Sequence, residues 1–192
     1  MINTTAITRF ETFYANPILS LNDHHVVFQN NVDRYLQLKE LLHQRNVSED
    51  DEFQRQYSYF YGLNRAMNAQ QKSAYYLRLE EIKNTDHPID VRALTEELRP
   101  LLGKNHFSFC SKMANIVNDE LYPIYDRNVR QVFHRANLGY GLEYWENIYQ
   151  DITETYQIMS NHPVISSFKN RFNAQGMGYM KVLDALFWVM GR

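Results

Sequence analysis

The sequence predicts an all-α protein of about ten helices. Apolar residues recur three and four positions apart through most of its 192 residues, which is the spacing of a helix face. Seven glycines and five prolines are too few to punctuate a set of short strands. No segment alternates apolar and polar residues between turn signals. The length suits one compact domain, or two small lobes sharing one core: 1–88 as an N-terminal helical lobe and 89–192 as the remainder. The loop at 84–88, NTDHP, is where the chain would cross between them.

The elements follow in order. A first helix comes after Thr4 and Thr5, with Ile7, Phe10 and Phe13 three apart, and Pro17 ends it. A second begins near Asn22 and Asp23 and runs to about Gln44, carried by Val27, Val32, Tyr35, Leu38 and Leu42. Ser48 is the expected N-cap of a third, with Glu49, Asp50, Asp51 and Glu52 placed where the helix dipole favours anions. Phe53, Tyr57, Phe60 and Tyr61 give that helix an aromatic stripe, for which core packing is the simplest account. A fourth helix spans 69–84 with Tyr75, Tyr76, Leu79 and Ile82. Asp90 caps the next, which Pro100 and Gly103 close. Helices are expected over 108–118, 127–136 and 142–159, and a short one over 164–172 after the break at His162-Pro163. The final helix follows Gly176 and Gly178. It is apolar on most faces, which places it at the centre of the core.

Charge and cysteine content narrow the function classes. Twenty Lys and Arg against 22 Asp and Glu leave a net charge of −2, so no global field draws the chain to nucleic acid. The basic residues Lys104, Lys112, Arg127, Arg130 and Arg135 nonetheless cluster in sequence and can present a locally basic face. Cys110 is the single cysteine, which excludes an intramolecular disulfide and a cysteine-based zinc cluster. The start, MINTTAITRF, lacks the basic and apolar regions of a signal peptide. Asp184 interrupts the longest apolar run, and the expectation is a cytoplasmic protein with no membrane partner. No phosphate-binding glycine loop, HExxH, calcium loop or GxSxG is present, so no metal or organic cofactor is expected. His106 lies four residues before Cys110, but a buried structural cysteine accounts for that residue.

The chemistry-bearing stretch is 105–133. On a helix, Ser108, Lys112, Asn115 and Asp119 form one polar stripe beside an apolar face of Phe109, Met113 and Ile116. Lys112 is expected near the positive end of that helix, among Phe107, Phe109 and Tyr125. Both surroundings favour the neutral amine, which is a usable nucleophile. The turn Tyr122-Pro123-Ile124-Tyr125 then delivers Asp126 to the start of the next helix, where it can serve as an N-cap. An amine and a carboxylate in one cleft can cleave a glycosidic C–N bond. The amine attacks the anomeric carbon, and the carboxylate stabilises the oxocarbenium ion or takes a proton.

These residues resemble the catalytic core of the helix-hairpin-helix (HhH-GPD) superfamily of DNA base-excision glycosylases. Lys112-Met113-Ala114-Asn115-Ile116-Val117 is similar to the family's K-x-A-N-h-V run, and Tyr125-Asp126-Arg127-Asn128-Val129 to its VDTHV-like turn. The segment is also similar to bacterial proteins with an SFxSK…PIYD pattern. The superfamily resemblance implies a two-lobed helical fold, a Schiff-base lysine at Lys112 and a catalytic aspartate at Asp126. It implies double-stranded DNA with a damaged or modified base as partner, cleaved with or without lyase activity. Lys104, Arg127 and Arg130 become candidate phosphate contacts. Tyr57, Tyr61 and Arg65, four apart on one helix, become a candidate base pocket with Phe109, and Phe187 or Trp188 is a candidate to face the base from the last helix. Where the family has LPGVGx, this chain has His106 to Ser111, without the glycines that bring backbone amides to a phosphate. The alternative is a helical DNA- or protein-binding module that keeps the fold without the chemistry; a third is a structural bridge between Lys112 and Asp126.

Overall fold

The computed structural model of the chain describes residues 2–133 and 141–192. Among them are eleven α-helices and two short 3-10 turns, with no strand. The helices are α1 (Thr4–Phe13), α2 (Pro17–Asp23), α3 (His25–Gln44), α4 (Asp51–Tyr61), α5 (Ala69–Ile82) and α6 (Val91–Leu102). They continue with α7 (Phe107–Val117), α8 (Arg127–Phe133), α9 (Leu142–Ile158), α10 (Pro163–Phe172) and α11 (Tyr179–Met190). The part of the expected 127–136 helix beyond Phe133, with Arg135, lies outside the described residues.

Most differences from the expected boundaries are matters of capping. Asn3 caps α1 by accepting the Ala6 N–H, so Thr4 and Thr5 lie inside the helix. Tyr14 is buried while Phe13 is exposed. Pro17 does not merely stop a helix; it opens α2 at a position whose N–H has no intrahelical partner, behind an Asn16 cap. The expected second helix is α3, beginning at His25, and α2 is an additional helix ahead of it, separated by a break at His24. Asp50, not Ser48, caps α4 by accepting the Phe53 N–H at 2.7 Å. Asp90 caps α6 as expected, and Gly103, at φ +76°, closes it with Pro100 inside the last turn.

The buried apolar residues form one cluster running from Ala6 to Val189, continuous across the 83–90 connection. α11 lies at its centre, packed by α1, α8, α9 and α10. Phe187 stacks on Phe10 at 4.8 Å and on Tyr156 at 5.1 Å. α7 packs on α6, and the α7–α8 connection folds across α11.

Three contacts fix that connection to α11. At one end Gly178 donates its N–H to Asp119, and a Cβ at Gly178 would stand 2.1 Å from the Asp119 carbonyl. In the middle both Asp184 carboxylate oxygens accept the Ile124 N–H, at 3.0 and 2.9 Å. At the other end a Cβ at Gly191 would stand 2.0 Å from the Asn128 carbonyl. Glycine is needed at both ends for close backbone approach.

Candidate active site

Lys112 is the sixth residue of the eleven in α7, mid-helix and not in its first turn, so the helix dipole does little to it. The turn that follows is tied down residue by residue. Asn115, fully buried, donates its side-chain amide to the Tyr122 carbonyl at 2.6 Å. The Ser111 hydroxyl donates to the Ser108 carbonyl and accepts the Tyr125 N–H, both at 2.9 Å. Asp119 is buried and accepts from Tyr35 and Lys39. Most of the expected polar stripe is thus an interior network, and within it Lys112 reaches a cleft.

Asp126 opens α8 and accepts the Asn128 N–H at 2.8 Å, the expected capping role. Its second oxygen lies 3.8 Å from the Lys112 Nζ. The Lys112 side chain is 11% exposed and that of Asp126 24%. The ammonium sits 4.8 Å from the Phe109 ring centroid and 3.5 Å from the Tyr61 carbonyl. Burial holds the Lys112 pKa below its ordinary value, and Asp126 opposes that shift without cancelling it.

Both residues line a cleft of about 680 Å³. One wall is the end of α4 and the turn after it: Tyr59, Phe60, Tyr61 and Arg65. α3 contributes Asn31 and Arg34, whose guanidinium stacks 5.1 Å above the exposed Tyr59 ring. α11 contributes one face to the cleft, with Lys181, Asp184, Ala185 and Trp188 following Met177 just ahead of the helix. Arg192 covers the Trp188 ring at 4.7 Å.

The structure brings Lys112, Asp126, Tyr61 and Arg65 together at this cleft, along with Trp188. Other candidates stand elsewhere. Tyr57 is fully buried and shares a 2.9 Å hydrogen bond with the Tyr75 hydroxyl, which places it in the core. Phe109 lies beneath Lys112, its carbonyl accepting from Tyr75, and does not form the cleft wall. Phe187 is a core residue. Lys104 and Arg127 are exposed and Arg130 is half-buried beside Tyr125; none of the three lines the cleft. Cys110 is fully buried, and burial pushes its thiol up to about 11, so it is not a nucleophile at neutral pH. The segment standing in place of the hairpin glycines is helical from Phe107, and the turn between α6 and α7 is made at Gly103.

Two site residues, Lys181 and Asp184, were not among the candidates. The signal was present: two charges three apart in an otherwise apolar helix, in register with Met177 and Trp188 four residues to either side. Burial drives the Lys181 pKa down and that of Asp184 up. Comparison with family models, curated proteins and solved structures found no match to the chain.

Proposed function

We propose that the protein is a DNA glycosylase-like enzyme that cleaves the N-glycosidic bond of a damaged or modified base. The observation that carries this is the Lys112–Asp126 pair: a buried amine 3.8 Å from a carboxylate, both facing one cleft. The lowered pKa of Lys112 enlarges its neutral, nucleophilic fraction. In the proposed reaction the Nζ lone pair forms a bond to the anomeric carbon as the C–N bond to the base breaks. The base departs with the bonding electrons and is protonated, and the amine surrenders a proton. Asp126 stabilises the positive charge that develops on the sugar. The resulting amine adduct opens to an imine, which water hydrolyses.

The surroundings are consistent with that substrate. A cleft of about 680 Å³ is of a size that holds a small ligand such as a nucleoside. Its wall offers aromatic faces on which a base turned out of the duplex can stack. In this reading α6, the turn at Gly103 and α7 take the part of the hairpin, and helices α3 and α4 form the opposing lobe. Arg34 and Arg65 at the cleft join Arg127, Arg130 and Lys104 as candidate phosphate contacts.

Borohydride reduction during incubation with a panel of damaged duplexes tests the proposal. A covalent protein–DNA adduct is expected with the wild type and none with Lys112→Gln. Absence of an adduct with every duplex, together with identical behaviour of the two proteins, would sink it. One observation favours a second reading, a binding module without chemistry. The glycine turn is replaced by helix, and Lys104, Arg127 and Arg130 lie outside the cleft. That reading expects salt-dependent DNA binding that Asp126→Asn leaves unchanged.

A further inference from the structure

The reaction proposed above leaves one proton without a destination, the one that Lys112 surrenders once its Nζ has bonded to the anomeric carbon. Asp126 is near, at 3.8 Å, but its negative charge is needed against the positive sugar, and a carboxylate is a far weaker base than an amine. A second amine lies at the same cleft. Lys181 is 8% exposed, and its side chain forms part of the cleft lining. The two lysines share one ring: the Nζ atoms of Lys112 and Lys181 lie 5.8 and 5.7 Å from the Tyr61 centroid.

Their surroundings differ. The Lys112 ammonium has two acceptors, Asp126 and the carbonyl of Tyr61, the last residue of α4, where the helix dipole favours a cation. Among the described residues Lys181 makes no hydrogen bond and no ion pair, and rests on the rings of Tyr35, Phe60 and Tyr61. Cation–π attraction offsets only part of the cost of taking an ammonium out of water. The charged groups that face it are Asp184 on its own helix, Lys112 on α7, Asp119 just after α7 and Asp126 at the start of α8. Arg34 and Arg65 line the same cleft, and burial keeps the Tyr35 and Tyr61 hydroxyls neutral. Each carboxyl group is engaged elsewhere: Asp184 with the Ile124 N–H, Asp119 with Tyr35, Lys39 and Gly178, and Asp126 with Asn128 and Lys112. They still attract a charge on Lys181, but burial outweighs them and the Lys112 charge adds to burial. Lys181 therefore rests as the neutral amine more readily than an exposed lysine does.

We propose that Lys181 is the proton acceptor for Lys112. The step rests on the base-excising function proposed above and deepens it. Bonding to the anomeric carbon turns the Lys112 nitrogen into a secondary ammonium, whose protons the ring oxygen on that carbon makes more acidic. One N–H bond of Lys112 breaks, its electron pair stays on the nitrogen, and an N–H bond forms at Lys181. The positive charge passes from one lysine to the other, and the net charge of the cleft is unchanged. The recovered lone pair on Lys112 is what opens the adduct to the imine.

Two measurements test this. The first is NMR titration of the lysine side chains in the DNA-free full chain. Lys181 is expected to lose its proton at lower pH than Lys112, and at higher pH in Lys112→Met than in the wild type. The second is the rate of borohydride trapping on a damaged duplex that the wild type attacks. Lys181→Met is expected to form the adduct about 100-fold more slowly at pH 7, with the deficit shrinking as pH rises and hydroxide takes the proton instead. Lys181→Arg, which keeps a charge but cannot accept a proton, is expected to be equally slow at pH 7. The proposal is overturned if Lys181 and Lys112 are both charged at pH 7, or if Lys112→Met leaves the Lys181 titration unchanged. It is also overturned if Lys181→Met traps at the wild-type rate, or if its deficit is the same at every pH, which marks a structural role. In each of these cases the wild-type adduct still forms and the function proposed above stands. No wild-type adduct with any duplex removes both. The wild-type titration decides even where the Lys181 variants fail to fold.

Discussion

At the scale of the residue, the cleft concentrates lysines that the fold would rather not keep charged. Burial lowers the pKa of Lys112 from its ordinary 10.5, so the native state gives up that proton before the unfolded chain does. Between the two values the unfolded chain binds more protons, and native stability from this group rises with pH there. Below the folded value the whole penalty of burying the charge is present; above 10.5 it is gone. Lys112→Met is therefore expected to be more stable than the wild type near pH 7, with the gain shrinking as pH approaches 10.5. Urea unfolding of both proteins across that range measures it. A constant difference at every pH would show that the ammonium is not the cause. The Lys112 and Asp126 juxtaposition was readable from residue types around one turn, because a lysine among aromatics and an aspartate after Pro123-Ile124-Tyr125 are local signals. Lys181 was legible only as a charge in an otherwise apolar helix; its neighbours Tyr35 and Phe60 arrive from α3 and α4 through long-range packing.

At the scale of the element, helix periodicity was legible and helix ends were less so. α5, α6 and α9 lie close to where their apolar spacing places them, since that spacing is the cause of their burial. The short helix α2 was hidden because Pro17 suits the first turn of a helix as well as the residue after one. Likewise Ser48 and Asp50 are both competent caps, and the winner is decided by where α4 must lie. The clamp on α11 had no local signature beyond two glycines. It gives a sharp expectation. Gly178→Ala forces the Asp119 backbone away and should cost roughly 3 kcal/mol. Gly176→Ala is the control: its Cβ would meet only the flexible end of Leu36 at 3.1 Å, and the cost should be under about 1 kcal/mol. Equal losses at the two positions would mean that close approach to Asp119 is not what Gly178 provides.

At the scale of the whole molecule, the continuous core argues for one folding unit. α1, the first helix, packs on α8 and α11 near the end of the chain. Thermal unfolding is expected to be a single transition, with the far-UV signal and the fluorescence of Trp145 and Trp188 changing together. Separate midpoints for the two tryptophans, each compared through single Trp→Phe variants, would show independent lobes. The fold class was legible at this scale and the cleft was not, since the cleft is lined by residues of five helices spread from α3 to α11. The clamp on α11 has a last consequence, for adaptation. A helix pinned at Gly178, Asp184 and Gly191 cannot slide or rotate to suit a new ligand. Its cleft-facing positions, Lys181, Ala185 and Trp188, then behave like interchangeable type in a fixed frame. Divergence in this protein, natural or by directed libraries, should proceed by swapping letters at those three positions while the frame around them stays constant.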